Sequence, residues 1–544
     1  MRTCAVRTTL AHALEVALAL ALALVASPAA AHDVDGPGGK LGDVHFAVTC
    51  NAAAQKEFNL AMAYHHSFAW EEMKPALERT LAADGRCGMV HWARALNLLD
   101  NPFGWPGNVS TKSLADGGTL LAQAKQTGLT SEREHDYVEA LAAFFRDSDK
   151  LNHRSRALAL ELAMAGLARK YPADTEASIL YGLVLSANFD PADKQYTNQL
   201  RAAQLLEPIF AKQPEHPGAA HYLIHSYDYP PLAAQGLPAA RRYSKIAPAA
   251  AHAQHMPSHI FTRVGAWEDS VAANRTSAKA DTALGPNTLH AYDYLVYAHL
   301  QMAQDLAAQQ VRARADSIQK RADNFAVAYA YAAMPARLAL ERGNWAAAAQ
   351  LALFPAADAY PWAKYPQAEA SNAYARALGA AMLGDGPATA AEIARLGRLR
   401  DRAAELKIGY WAEQIGIQID VVQGLAAFKS GQAEAGLAAL RAAAAREDAS
   451  EKHAVTPGPL LPAREVLAGA LLTQGDAISA LREFEAVLAK EPNRLRAMAG
   501  AAIAAERGGQ AQKAGAFADR ISQQTAQADV GRPGLQLARD SILR

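Results

Sequence analysis

The chain has 544 residues, with 54 Lys plus Arg against 54 Asp plus Glu. A balanced charge without a basic run removes the electrostatic case for nucleic-acid binding. The length is enough for several domains or for one long solenoid.

Arg2 and Arg7 precede an apolar run from Val16 to Ala26, and Ala29, Ala30 and Ala31 follow before His32. A basic start, a short apolar core and small residues before a cleavage point read as a secretory signal over 1–31, too short for a membrane span. Glu15 at the edge of the core is unusual for such a segment. No later stretch approaches 18 uninterrupted apolar residues, so the expectation is an exported chain, periplasmic or secreted, with no membrane span. Residues 32–49 read as a flexible tail. Cleavage after Ala31 would make His32 the N-terminus, where amine and ring together could chelate copper; a disordered tail is the plainer reading.

Cys4 falls in the signal, which leaves Cys50 and Cys87, 37 residues apart. In an oxidising compartment they most simply form a disulfide, tying one structural unit to the next. No CxxC or CxxCH occurs, so thiol redox and covalent haem have no support.

From Asn51 onward almost no strand alternation is found, and helical periodicity rich in Ala and Leu is nearly continuous. Turn signals recur where helices should stop, among them Asp84-Gly85, Gly265-Ala266, Gly343-Asn344, Gly431-Gln432, Gly475-Asp476 and Gly508-Gly509. The segment Leu467 to Asn493 has small Ala468 in a first helix, Gly475-Asp476 at the turn, then Ala480, Phe484 and Pro492. The frame recurs around Gly265, Trp267 and Ser270, and again from Gly343. On these residues the chain resembles the tetratricopeptide repeat family over most of Asn51 to Gln524. The resemblance implies an all-α solenoid of helix-turn-helix repeats, with the first helix of each hairpin lining a concave groove.

Three segments depart from the repeat. Asn101 to Gly117 is rich in Gly, Pro and polar residues and reads as a loop over one end of the groove. Residues 355–366, with Trp362, interrupt the periodicity and divide an N-terminal array over 50–354 from a C-terminal one over 367–525, with a tail over 526–544. Lys452 to Pro462 is a second proline-rich connector. Trp70, Trp92, Trp105, Trp267 and Trp345 read as packing anchors at repeat junctions, and the sequon at Asn108 means little in a bacterial-looking chain.

Histidine is concentrated in the middle: eight of 17 lie between His216 and His299. His221 and His225 recur 34 residues later as His255 and His259, at the period of a helix-hairpin repeat. Residues three, four and seven apart share a helix face, so His221, His225 and Asp228 fall on one face. His252, His255, His259 and Thr262 fall on the next, and His290, Asp293 and Tyr297 on a third. By the resemblance these residues face the groove, with His65, His66 and Glu465 directed toward it from more distant units.

Two histidines one turn apart can chelate one ion, and helices 8 to 10 Å apart bring neighbouring units within bridging reach. Imidazoles suit Zn, Cu, Ni or Fe rather than Ca or Mg. The candidate metal ligands are therefore His221, His225, His252, His255, His259 and His290, for Zn, Cu or Fe. Asp228, Thr262, Arg263, Asp293 and Tyr297 are the remaining groove residues. Ordinary packing, or a hydrogen-bonding groove with Tyr222, Tyr292 and Tyr294, is the alternative. Pro257 counts against the metal reading, because it restricts helix geometry between His255 and His259.

The expected function is binding: a groove that holds a protein or peptide partner, or a small-molecule ligand, with a histidine-coordinated transition metal. The alternative is a metal-dependent enzyme, hydrolase or oxidoreductase, on the same scaffold. No Ser-His-Asp motif, P-loop or dinucleotide fingerprint supports another chemistry.

Overall fold

The computed structural model describes residues 33–36, 39–107, 109–281, 283–529 and 532. The signal expected over 1–31, His32, Asn108 and most of the tail expected beyond 529 lie outside the described residues.

Asp33–Gly36 and Gly39–Asp43 pair as a short antiparallel ribbon. Every other regular element described is helical, and the chain is an all-α solenoid of helix hairpins. The Ala- and Leu-rich segments carry the start signals that helices need. Asn51, Ser110, Ser131, Asn152 and Asp476 accept a backbone N–H from the first turn of the helix they precede. Proline occupies the first turn of Pro217–Tyr227, Pro286–Gln301 and Pro366–Leu383, where its missing N–H costs nothing. Between Pro257–Arg263 and Trp267–Ala280, Gly265 turns the chain at φ +70°, and a Cβ there would meet the Pro492 carbonyl oxygen at 2.3 Å. Only glycine meets both demands.

Each helix packs against the next. The first helices of successive hairpins also pack on one another, from Pro286–Gln301 through Phe325–Glu341 and Pro366–Leu383 to Gly409–Lys429. The superhelix then closes on itself. Trp267 Nε1 donates to the Asn493 carbonyl at 3.0 Å, and Asn493 Nδ2 to the Gly265 carbonyl at 3.1 Å. Arg494 donates to the Tyr297 hydroxyl at 3.0 Å, and the Leu495 amide to Gln301 Oε1 at 2.9 Å. A second closure sets Ala52–His66 against Pro217–Tyr227.

The apolar interior forms two cores, one running from Leu41 to Phe261 and the other from Trp267 to Ile521. They part at the Gly265 turn and not at 355–366. That segment lies within the second core: Trp362 is buried and donates to the Pro355 carbonyl at 2.9 Å, while Phe325–Glu341 packs directly on Pro366–Leu383. Its prolines interrupt a helix without interrupting the stack. The described part of the expected N-terminal tail is packed as well, since Leu41, Val44 and Phe46 are buried and the Asp43 amide donates to the Glu215 carbonyl at 2.9 Å. Three apolar residues behind a glycine-rich start supply enough burial to order it. At the other end, Arg532 is buried on Asp305 at 3.0 Å. Cys50 and Cys87 form a disulfide.

The interior is not an open groove. The connector Lys452 to Pro462 threads it: Arg337 donates to the Gly458 carbonyl at 3.2 Å and to Thr456 Oγ1 at 2.8 Å, and Lys452 Nζ lies 3.2 Å from Asp228 Oδ2. No helix among the described residues is long and apolar enough to cross a membrane.

Candidate metal centre

Helix Pro217–Tyr227 projects His221 and His225 from one face. The next helix is interrupted between Ala251–His255 and Pro257–Arg263, where the His259 amide bonds the Met256 carbonyl at 3.1 Å. Pro257 sits in the first turn of the resumed helix, so the break leaves His255 and His259 on a common face. His290 enters from the first turns of Pro286–Gln301.

The ring nitrogens fall into two triads, His221/His225/His252 and His255/His259/His290, with one ligand atom from each residue lying within 4.8 Å of the others. In the first, His221 Nε2 lies 3.1 Å from His225 Nε2 and 3.2 Å from His252 Nε2. In the second, His255 Nε2 and His259 Nε2 are 3.0 Å apart. Three imidazoles about 2.0–2.1 Å from one ion, at tetrahedral angles, would place their nitrogens about 3.3–3.4 Å apart. A few tenths of an ångström separate that edge from these distances.

The outer nitrogens fix the tautomers of His221, His255 and His259. His221 Nδ1 donates to the His66 carbonyl at 2.7 Å, which leaves Nε2 as a lone pair. His259 Nδ1 donates to Asp228 Oδ2 at 2.9 Å. His255 Nδ1 donates to Asn274 Oδ1 at 2.6 Å, and the amide orientation follows because Asn274 Nδ2 donates to the Ser270 carbonyl at 2.8 Å. His255 and His259 thus aim bare lone pairs at each other. Two acceptors at 3.0 Å repel unless a cation lies between them.

A proton does not readily fill that role. Burial, and then the neighbouring imidazoles, push His221, His225, His252 and His290 well below the usual histidine range. Burial and His259 do the same for His255, and burial outweighs Asp228 in lowering His259. Asp228 itself would be raised by burial, but Lys452 and Arg263 hold it well below the carboxylate range. Arg263 Nε donates to its Oδ1 at 2.8 Å. Among the described residues, the one carboxylate touching the cluster is therefore ionised, already paired, and placed behind His259 as an orienting group.

Aromatic rings close one side. Phe103, from the loop expected to cover the groove, stacks on His225 at 3.8 Å between centroids, and Phe68 packs on His221 at 4.4 Å and His252 at 5.2 Å. His252 and His290 are only half-buried, one in each triad, whereas the other four rings are buried. Tyr294 Oη lies 3.3 Å from His259 Nε2.

The other residues singled out in the sequence lie apart. Thr262 bonds Ser270 Oγ at 3.1 Å. Asp293 pairs with Arg337 at 2.8 Å, Tyr297 with Arg494, and Glu465 with Arg494 and Arg496, all braces for the interior connector and the closure. His66 belongs to a third cluster, with Glu176 and His216. There Glu176 accepts from both rings, at 2.9 and 3.0 Å, while the other nitrogens accept from the Tyr222 hydroxyl at 3.0 Å and the Ala219 amide at 3.3 Å. Every polar atom of that trio is satisfied without an ion. His65 is buried against Trp70 with neither ring nitrogen hydrogen-bonded.

Sequence reasoning missed Asn274, Lys452 and Phe68, and named Tyr294 only as part of a hydrogen-bonding groove. Asn274 carries the only local signal, a polar residue on the inner face of an amphipathic helix. A cavity of about 120 Å³ lies on the far side of the Asp228 layer, lined by Arg263 and Lys452 among others but by none of the six histidines.

No family model matches the sequence, and no curated protein does. Among solved structures the chain is similar to one from the APC/C hetero-tetramer Cut9–Hcn1, at 11% identity over 90% of both chains with a TM-score of 0.32. It is also similar to one from Naa15/Naa10 bound to HypK-THB, at 11% identity over 90% of this chain and 91% of that one with a TM-score of 0.25. Likenesses of this size bear on neither the site nor its chemistry.

Proposed function

We propose that the chain is a metal-binding helical-repeat protein whose two histidine triads hold a transition metal and present it to an exogenous ligand. The observation that carries the reading is the pair His255 Nε2 and His259 Nε2, both stripped of protons by outer partners and aimed at one point 3.0 Å apart. Three protein ligands to a triad leave a coordination position free, the arrangement of a reactive or ligand-binding ion rather than of a saturated structural one. This favours metal-dependent chemistry over a purely structural metal. Export to an oxidising compartment fits the Cys50–Cys87 disulfide and the pattern of residues 1–31.

A protein partner is the second reading. Leu158 and Leu162, one turn apart on His153–Lys170, are 44% and 71% exposed and form an apolar pair on the outside of the stack.

The test is elemental analysis by mass spectrometry of untagged protein purified from its export compartment, beside a His221/His225/His255/His259 quadruple alanine variant. A transition metal near stoichiometric in the parent and lost in a variant of unchanged helical content is expected. No metal in either protein overturns the reading and leaves a polar ligand groove.

A further inference from the structure

Resting on that reading, one property of the ligand set narrows both the metal and what it meets. Two members of each triad are related by the 34-residue shift, His221 to His255 and His225 to His259, while His252 and His290 are 38 apart, and the triads adjoin: His225 lies 6.2 Å from His259 and His252 lies 6.2 Å from His255, between ring centroids. They form one pocket rather than two remote sites. All six ligands are neutral imidazoles, and no carboxylate belongs to either triad. Asp228, the one anion nearby, is already matched by Arg263 and Lys452.

That set discriminates among metals. Hard ions that bind in pairs require oxygen donors, which are missing. Two divalent ions of any kind would bring four positive charges into a buried pocket that offers no counter-charge. Two monovalent copper ions halve that load, and imidazole is a good donor to copper. The third cluster, His66/Glu176/His216, shows the contrast: it has a carboxylate, and its hydrogen bonds are complete without an ion.

We propose that the two triads together form a paired copper centre which, in its reduced state, binds dioxygen between the two ions as peroxide. Each copper(I) gives up one electron to become copper(II). The two electrons reduce dioxygen to peroxide, with no proton consumed, and the dianion supplies the counter-charge that the ligand set lacks. His252 and His290 are the least buried members of the cluster, while Phe103 covers His225 and Phe68 covers His221 and one face of His252. The Tyr294 hydroxyl lies 3.3 Å from His259 Nε2 and 3.3 Å from the Thr456 carbonyl, which can accept its proton.

The experiment loads metal-free protein with copper(I) under anaerobic conditions, measures copper per chain, then admits dioxygen and follows its uptake, the peroxide-to-copper(II) charge-transfer absorption and the EPR signal. Expected are two coppers per chain, one dioxygen taken up per pair, a charge-transfer band and copper(II) that is EPR-silent through coupling. His252→Ala and His290→Ala, each at the half-buried member of its triad, should retain helical content and lose dioxygen uptake. One copper per chain, two coppers without uptake, or an EPR signal accounting for all the copper overturns the proposal while leaving a metal-binding protein. Binding of zinc in place of copper, from a mixture of the two, does the same. Protein that takes up no metal overturns both readings.

Discussion

Replacing Asn274 with leucine isolates the tautomer argument from the ligands themselves. Asn274 is fully buried, and its Oδ1 accepts from His255 Nδ1 at 2.6 Å. Leucine has nearly the same shape and accepts nothing, so the His255 proton moves to Nε2, where it can be donated to His259 Nε2 at 3.0 Å. The lone pair needed by the metal is then occupied. Loss of an orienting partner of this kind costs about 10- to 100-fold in metal affinity, or about 1.4–2.7 kcal/mol. The metal-free protein should change little, because the lost hydrogen bonds, about 1 kcal/mol each, are offset by the new bond between the two rings. Competition against a chromophoric chelator at neutral pH reads the affinity, and urea unfolding with a chelator present reads the stability. Weaker metal binding with unchanged metal-free stability is the expected pair of results. Unchanged affinity would refute the reasoning, and so would a large loss of metal-free stability, since the two lone pairs would then not have been in conflict.

Two further outcomes concern the scaffold. Reduction of the Cys50–Cys87 bridge, which closes a 37-residue separation, should destabilise the first hairpins by about 4 kcal/mol, read as an earlier phase in thermal unfolding under reducing conditions. Glu447, which accepts from the Ala463 amide at 2.8 Å, has its pKa raised to about 7 by burial. A raised carboxyl favours the folded state below its unfolded value near 4.5, and that contribution fades as pH climbs through 7. Glu447→Gln should therefore match the parent at pH 4 and exceed it at pH 8 by about 1–3 kcal/mol in urea unfolding, with solvent screening setting the lower end.

The helical architecture was legible because its signals are local. Periodicity, caps and turn glycines each span a few residues, and Gly265, Gly343 and Gly475 stand in the structure at hairpin turns with positive φ. The pairs His221/His225 and His255/His259 were legible for the same reason, because a spacing of four places two rings on one face and a shift of 34 repeats them; that His252 joins the first pair and His290 the second was not, since both come from a neighbouring helix. What could not be read was set by closure. That Tyr297 meets Arg494, or that Lys452 reaches Asp228 across 224 residues, depends on the pitch of the superhelix. Pitch is the sum of many small packing angles and has no spacing in the sequence. The resemblance to tetratricopeptide repeats implies a concave groove that receives a ligand. Here the chain fills it with its own proline-rich connector, and so Asp293 and Tyr297 serve as braces rather than as ligand contacts.

The same closure explains how a neutral, lone-pair-rich cluster survives inside a folded chain. The outer partners that strip its inner nitrogens of protons come from four separate places: the His66 carbonyl at the end of Ala52–His66, Asn274, Asp228, and Lys452 acting through Asp228. No single hairpin holds them all. The tautomers are set only once the N-terminal helix has docked on Pro217–Tyr227 and the connector has threaded the interior. The cost of facing acceptors thus falls on the closed state alone, and an ion that relieves it binds the closed state more tightly than any open one. By linkage, an ion at about 100 times its dissociation constant adds about 2.7 kcal/mol to whatever form binds it. On the proposed reading, metal binding would favour the closed superhelix, in which Phe68 and Phe103 cover the cluster.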